Sequence, residues 1–120
     1  MGRSAYFWAE GFSCDSKVIS EVLGIAPSDA RPGRWRIHSR LDDRAAPLDA
    51  HIANLLDLVG SRLPILRERV APLKTGINCV DHITQFQGNG FNLSAELIRR
   101  LAELKLSVDF DLYGDAARDS

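Results

Sequence analysis

The side chains through which this chain could do chemistry are two paired carboxylates, three histidines and a cluster of arginines. Asp109 and Asp111 stand two residues apart in an alternating stretch, so their carboxylates point to one side of a strand, about 7 Å apart. Such a pair can divide acid and base roles, hold a ligand, or simply form salt bridges with Arg36 and Arg40 on a neighbouring strand. His38 lies between those two arginines. His82 follows Asp81, and His51, between Ala50 and Ile52 on a helix, is expected at the surface. A metal needs three or four converging ligands. A His38/His82/Asp111 set is the one combination to weigh, and spacing does not force it together. No metal and no cofactor are expected.

Recognised catalytic signatures are missing from the sequence. It contains no G-x-G-x-x-G, P-loop, H-E-x-x-H or G-x-S-x-G. Gly88-Asn89-Gly90 reads as a turn, with an anion on free N–H groups near Ser94 as the alternative. No reaction follows from these residues, and the balance leans away from an enzyme.

Composition narrows the classes further. The chain has 120 residues, 45% hydrophobic and 26% charged, with a formal net charge of −1. That is one domain by size, able to bury roughly two thirds of the surface its unfolded chain exposes. Residues 4–114 are expected to be ordered and 115–120 to form a frayed tail. The densest basic stretch holds Arg31, Arg34, Arg36 and Arg40, interrupted by Trp35 and Ile37. Without a basic excess, nucleic-acid binding is not expected. No apolar run approaches the roughly 18 residues of a membrane span, and Glu10 interrupts the N-terminal apolar stretch, so no signal peptide is read there. A cytoplasmic protein is expected, with Cys14 and Cys79 as separate free thiols.

The elements that would position these groups follow from periodicity. Residues 4–12 read as a strand with Tyr6, Trp8 and Phe12 on one side and Ala5, Phe7 and Ala9 on the other. Asp15 caps a helix carrying Val18, Ile19, Val22 and Leu23, and Gly24 ends it. Residues 26–34 read as a loop. Trp35–Leu41 alternates, placing Arg36, His38 and Arg40 on one face and Trp35, Ile37 and Leu41 in the core. Pro47 opens a helix with Leu48, Ile52, Leu55, Leu56 and Val59 inward. A second segment, with Leu63, Leu66 and Val70 inward, ends at Pro72. Residues 75–86 form a strand with mixed faces. Ser94 caps the last helix, in which Leu97, Ile98, Leu101 and Leu104 face inward. Leu106–Tyr113 is the last strand.

The order β-α-β-α-α-β-α-β, with strands apolar on one face only, predicts an α+β two-layer sandwich. Its sheet has about four strands, helices on one face and the other face open.

Leu93-Ser94-Ala95-Glu96-Leu97-Ile98-Arg99-Arg100-Leu101-Ala102-Glu103-Leu104 and the following Leu106-Ser107-Val108-Asp109-Phe110-Asp111-Leu112-Tyr113 resemble the closing helix and strand of the bacterial family called domain of unknown function 4279. Leu23-Gly24-Ile25 with Pro27, then Trp35 and Ser39, are similar to its N-terminal half. The resemblance covers nearly the whole chain and implies the single-domain fold. That family usually has Gly after the last helix, where this chain has Lys105. The resemblance implies no reaction, cofactor or catalytic residue.

Two functions fit. The first is a protein-interaction module whose open face, with Tyr6, Trp8, Arg36, His38, Arg40, Asp109, Asp111 and Tyr113, holds a protein partner or a second copy. The second is a small enzyme or ligand sensor that uses Asp111, His82 and Arg36 beside the sheet.

Overall fold

The computed structural model describes residues 3–42, 45–83 and 92–114. The elements run β1 (Arg3–Glu10), α1 (Ser16–Leu23), β2 (Asp29–Arg31), β3 (Arg34–His38), α2 (Leu48–Val59), α3 (Leu63–Arg69), β4 (Lys74–Ile83), α4 (Ala95–Glu103) and β5 (Ser107–Gly114). They build an α+β fold on one mixed sheet of order β2-β3-β1-β4-β5. β1 runs antiparallel to both β3 and β4, while β4 and β5 are parallel and need the crossover that carries α4. The sheet has five strands rather than about four. The addition is β2, three residues inside the segment expected to be a loop, too short for a hydrophobic pattern to reveal.

Alternation on β1 sets the two faces. Ala5, Phe7 and Ala9 are buried, and they join Ile37, Ile77 and Cys79 under the helices. Trp35 is fully buried, meets Phe7 edge-on at 6.2 Å between ring centroids, and donates its Nε1–H to Ser20 Oγ at 2.9 Å. Each helix contributes a stripe to the same core: Ile19, Val22 and Leu23; Leu48, Ile52, Leu55, Leu56 and Val59; Leu63 and Leu66; Leu97 and Leu101. Ile98, expected inward, is 52% exposed, because the buried arc of α4 is only wide enough for the positions four apart, Leu97 and Leu101.

The caps agree with the sequence. Asp15 accepts from the Lys17 N–H at 2.9 Å and Ser94 accepts from the Leu97 N–H at 3.1 Å. Gly24, at φ 70°, ends α1 in the left-handed conformation. Pro47 is the N-cap of α2, one position outside the helix it was expected to open. At the end of α4 the left-handed position falls to Lys105, at φ 56°. Lys105 N–H donates to Ala102 O and Leu106 N–H to Leu101 O, both at 3.0 Å. These are the paired bonds of a Schellman end, built here without glycine.

Three departures matter for the site. Phe12 is 4% exposed and joins the core instead of extending the aromatic row of β1. Gly11, at φ 83°, breaks the alternation and turns the chain inward. β3 ends at His38, so Arg40 and Leu41 lie beyond it. The Arg40 N–H donates to Asn54 Oδ1 of α2 at 2.7 Å, and Leu41 is exposed instead of core. His51, expected at the surface, is 2% exposed and its Nδ1 lies 2.8 Å from Ser39 Oγ. β4 is described to Ile83; residues 84–86 and the Gly88-Asn89-Gly90 turn lie outside the described residues.

Candidate functional site

The face of the sheet turned away from the described helices carries a row of side chains that crosses four strands. Register places Tyr6 of β1 opposite His38 of β3 and Asn78 of β4, and Trp8 opposite Arg36 and Gly76. Tyr6 is the hub. The Arg36 guanidinium lies 4.9 Å from the centre of its ring, a cation–π distance. The His38 ring is tilted against it at 5.4 Å. Asn78 donates both hydrogens of its Nδ2, one to Tyr6 Oη at 3.0 Å and one to Asp111 Oδ2 at 2.8 Å. Asn78 is 8% exposed, so those bonds satisfy a polar group that burial would otherwise penalise. The result is a continuous line from Arg36 through Tyr6 and Asn78 to Asp111.

Trp8 lies beside this line. A Cβ on Gly76 would come 2.5 Å from Trp8 Cζ2, so glycine there is what lets the indole lie across β4. The aromatic row is therefore two residues, Tyr6 and Trp8, both half-buried by their neighbours on the same face.

Charge divides along the face. On the β2–β3 flank, Arg34 holds Asp29 at 3.0 Å and Arg31 lies 4.0 Å from the same carboxylate, with Arg36 next to them. On the β5 flank Asp109 and Asp111 are exposed, and β5 has no basic residue. Arg36 and Asp111 are separated by β1 and β4, so the expected salt bridges between the β5 aspartates and Arg36 or Arg40 are not the arrangement found. Asp111 is taken by Asn78 instead. His82 and Tyr113 face each other in the β4–β5 register, while their side chains lie outside the described residues. Among the described residues, no group of three or more histidine, cysteine, aspartate or glutamate side chains could hold a metal ion.

Asn78 and Gly76 were not singled out in the sequence. Their signal is the pattern of β4, where Gly76, Asn78 and Val80 alternate with Ile77 and Cys79 and so must face away from the core. A second polar cluster was also missed. Ser39 Oγ accepts from the Leu41 N–H at 3.2 Å while contacting His51 Nδ1. The two side chains share a cleft of about 420 Å³ with Arg3, His38 and Asp42. Arg3 is already committed to the buried Asp81 carboxylate at 3.3 Å. The cluster ties the end of β3 to α2, and it was invisible because Ser39 and His51 belong to different elements.

Cys79 is a free thiol on the inner face, and burial pushes its pKa up to about 12. Cys14 is free and half-exposed. No described helix is long and apolar enough to cross a membrane.

No curated protein and no solved structure matches the chain. A family model described as domain of unknown function (DUF4279) matches residues 2–115, nearly the whole of the fold and all of the face just described, and the chain belongs to that family.

Proposed function

We propose that this domain is a cytoplasmic protein-interaction module that docks its partner on the open face of the sheet. One observation carries the reading: the line Arg36–Tyr6–Asn78–Asp111 links aromatic and charged groups through direct contacts on a face that no described helix covers. Aromatic residues and arginine held in one conformation lose little entropy on binding and are the side chains that most often dominate interface energies. Arg36, His38, Asp109 and Asp111 form the polar rim around Tyr6 and Trp8, an arrangement typical of interfaces. The interaction reading is favoured over the ligand-sensor one because β1 and β4 stand between Arg36 and Asp111.

The test is site-specific cross-linking in cells. A photoreactive residue replacing Ser4, on the open face, should form protein adducts that Trp8→Glu abolishes. The same probe at Glu21, exposed on α1, should form none that depend on Trp8. Adducts confined to the helix side, or a Trp8→Glu protein that is unfolded by circular dichroism, would overturn the reading.

A further inference from the structure

We infer that the occupant of the open face is a second copy of this chain, related by a twofold axis that runs parallel to the strands between β1 and β4. The inference rests on the reading of this face as a docking surface and names the partner. Its basis is charge. The β2–β3 flank offers Arg31, Arg34 and Arg36 against one aspartate, Asp29. The β5 flank offers Asp109 and Asp111 with no basic residue. The β2–β3 strands carry a positive excess and β5 a negative one, with Tyr6 and Trp8 between them.

A twofold interface presents the same patch from both sides, so the patch must complement itself. Two orientations of the axis lie in the plane of contact. An axis perpendicular to the strands would set β3 over β3 and β5 over β5, placing arginine against arginine and aspartate against aspartate. Like charges brought together in this way oppose association. An axis along the strands sets β3 of one copy over β5 of the other, twice; the register puts Arg36 level with Ser107, and its guanidinium leans over Tyr6, which is level with Asp109, so Arg36 of each copy reaches toward Asp109 of the other. The strand order β2-β3-β1-β4-β5 puts that axis midway between β3 and β5, in the β1–β4 seam. Trp8 leans across Gly76 into this seam, so the two indoles meet at the axis.

The size of the face sets the expected strength. Five strands at about 4.8 Å spacing and about 20 Å length give roughly 500 Å² per copy, which is at the weak, transient end of specific interfaces. The dimer should therefore form in the micromolar range and weaken as salt screens its flanks.

A complementary charge swap tests this. Arg36→Glu alone places acid against acid at both contacts, and Asp109→Arg alone places base against base. Each variant should lose association at least about tenfold relative to wild type. An equimolar mixture of the two should form heterodimers. The acid introduced by Arg36→Glu in one copy then meets the base introduced by Asp109→Arg in the other, while the remaining Arg36–Asp109 contact is intact. Native mass spectrometry and light scattering read the result, and circular dichroism checks folding. His38→Glu, at an exposed position of the same flank, replaces Arg36→Glu if that variant does not fold. Failure of the mixture to restore dimers, or a dimer indifferent to the single reversals, would overturn the inference. A wild type that stays monomeric at high-micromolar concentration while Trp8→Glu abolishes open-face adducts would overturn the second copy and leave the docking face standing. An unfolded Trp8→Glu protein removes both.

Discussion

The two faces of β1 are built from the same eight residues yet are held by different physics. On the inner face Ala5, Phe7 and Ala9 pack into the apolar core, and the requirement is volume: Phe7 is fully buried, edge-on to Trp35 and paired in the sheet with Ile37 and Ile77. On the outer face Tyr6 and Trp8 are held by direction. Tyr6 needs a hydrogen bond from Asn78 and a guanidinium over its ring, and Trp8 needs a missing side chain at Gly76. A volume-controlled face tolerates repacking and gives stability. A direction-controlled face gives little stability but presents the same groups in the same places each time, which is what recognition requires.

The contrast can be broken first on the inner side. Phe7→Ala should cost about 3–5 kcal/mol through lost burial and the cavity left behind, measured as the shift in a urea melt. A cost under about 1 kcal/mol would mean that the inner face is not the core. The neighbouring outer substitution, Trp8→Glu, should cost only about 1–2 kcal/mol, since full burial of an aromatic is worth about 1.5–3 kcal/mol and Trp8 is half-buried. The protein should keep its far-ultraviolet circular dichroism. Equal losses from the two changes would erase the distinction between faces.

A smaller effect, of opposite sign, is expected where the covering layer returns to the sheet. Lys105 holds a left-handed conformation that glycine adopts freely, so Lys105→Gly should raise stability by about 0.5–1 kcal/mol. A melt in which the glycine variant is less stable would mean that contacts of the lysine outweigh its backbone strain.

The mildest perturbation is the loss of one proton. Folding raises the Cys79 pKa from 9.0 to about 12 by desolvation. Between those values the unfolded chain releases a proton that the folded chain keeps, so this group's contribution to stability falls as pH rises through that window. Cys79→Val should flatten the decline in urea midpoint above pH 9 relative to wild type. Identical slopes would place the thiol in contact with water. Cys14, on the outside of the same fold, should react with iodoacetamide at about pH 8 in the native protein while Cys79 stays protected.

Local sequence determined the pieces of this protein whose physics is local. Strand alternation separated Tyr6 and Trp8 from Ala5, Phe7 and Ala9 because successive side chains on a strand must point to opposite sides. Asp15, Gly24 and Ser94 marked helix ends because the groups they cap lie within a few residues. One-sided strands implied helices on one face, and five strands with such a cover are what folds. Tertiary structure decided the rest. β2 exists because three residues find β3 as a template, which no period of three residues could announce. His51 is buried because β3 delivers Ser39 to it, and Phe12 turns inward because Gly11 takes a positive φ. Above all, strand order decided the site. Sequence placed arginines and aspartates on the same face but not side by side or apart. The insertion of β1 and β4 between β3 and β5 separated the charges, gave Asp111 to Asn78, and left a face positive at one flank and negative at the other, because which strands become neighbours is settled by long-range packing that no local pattern encodes.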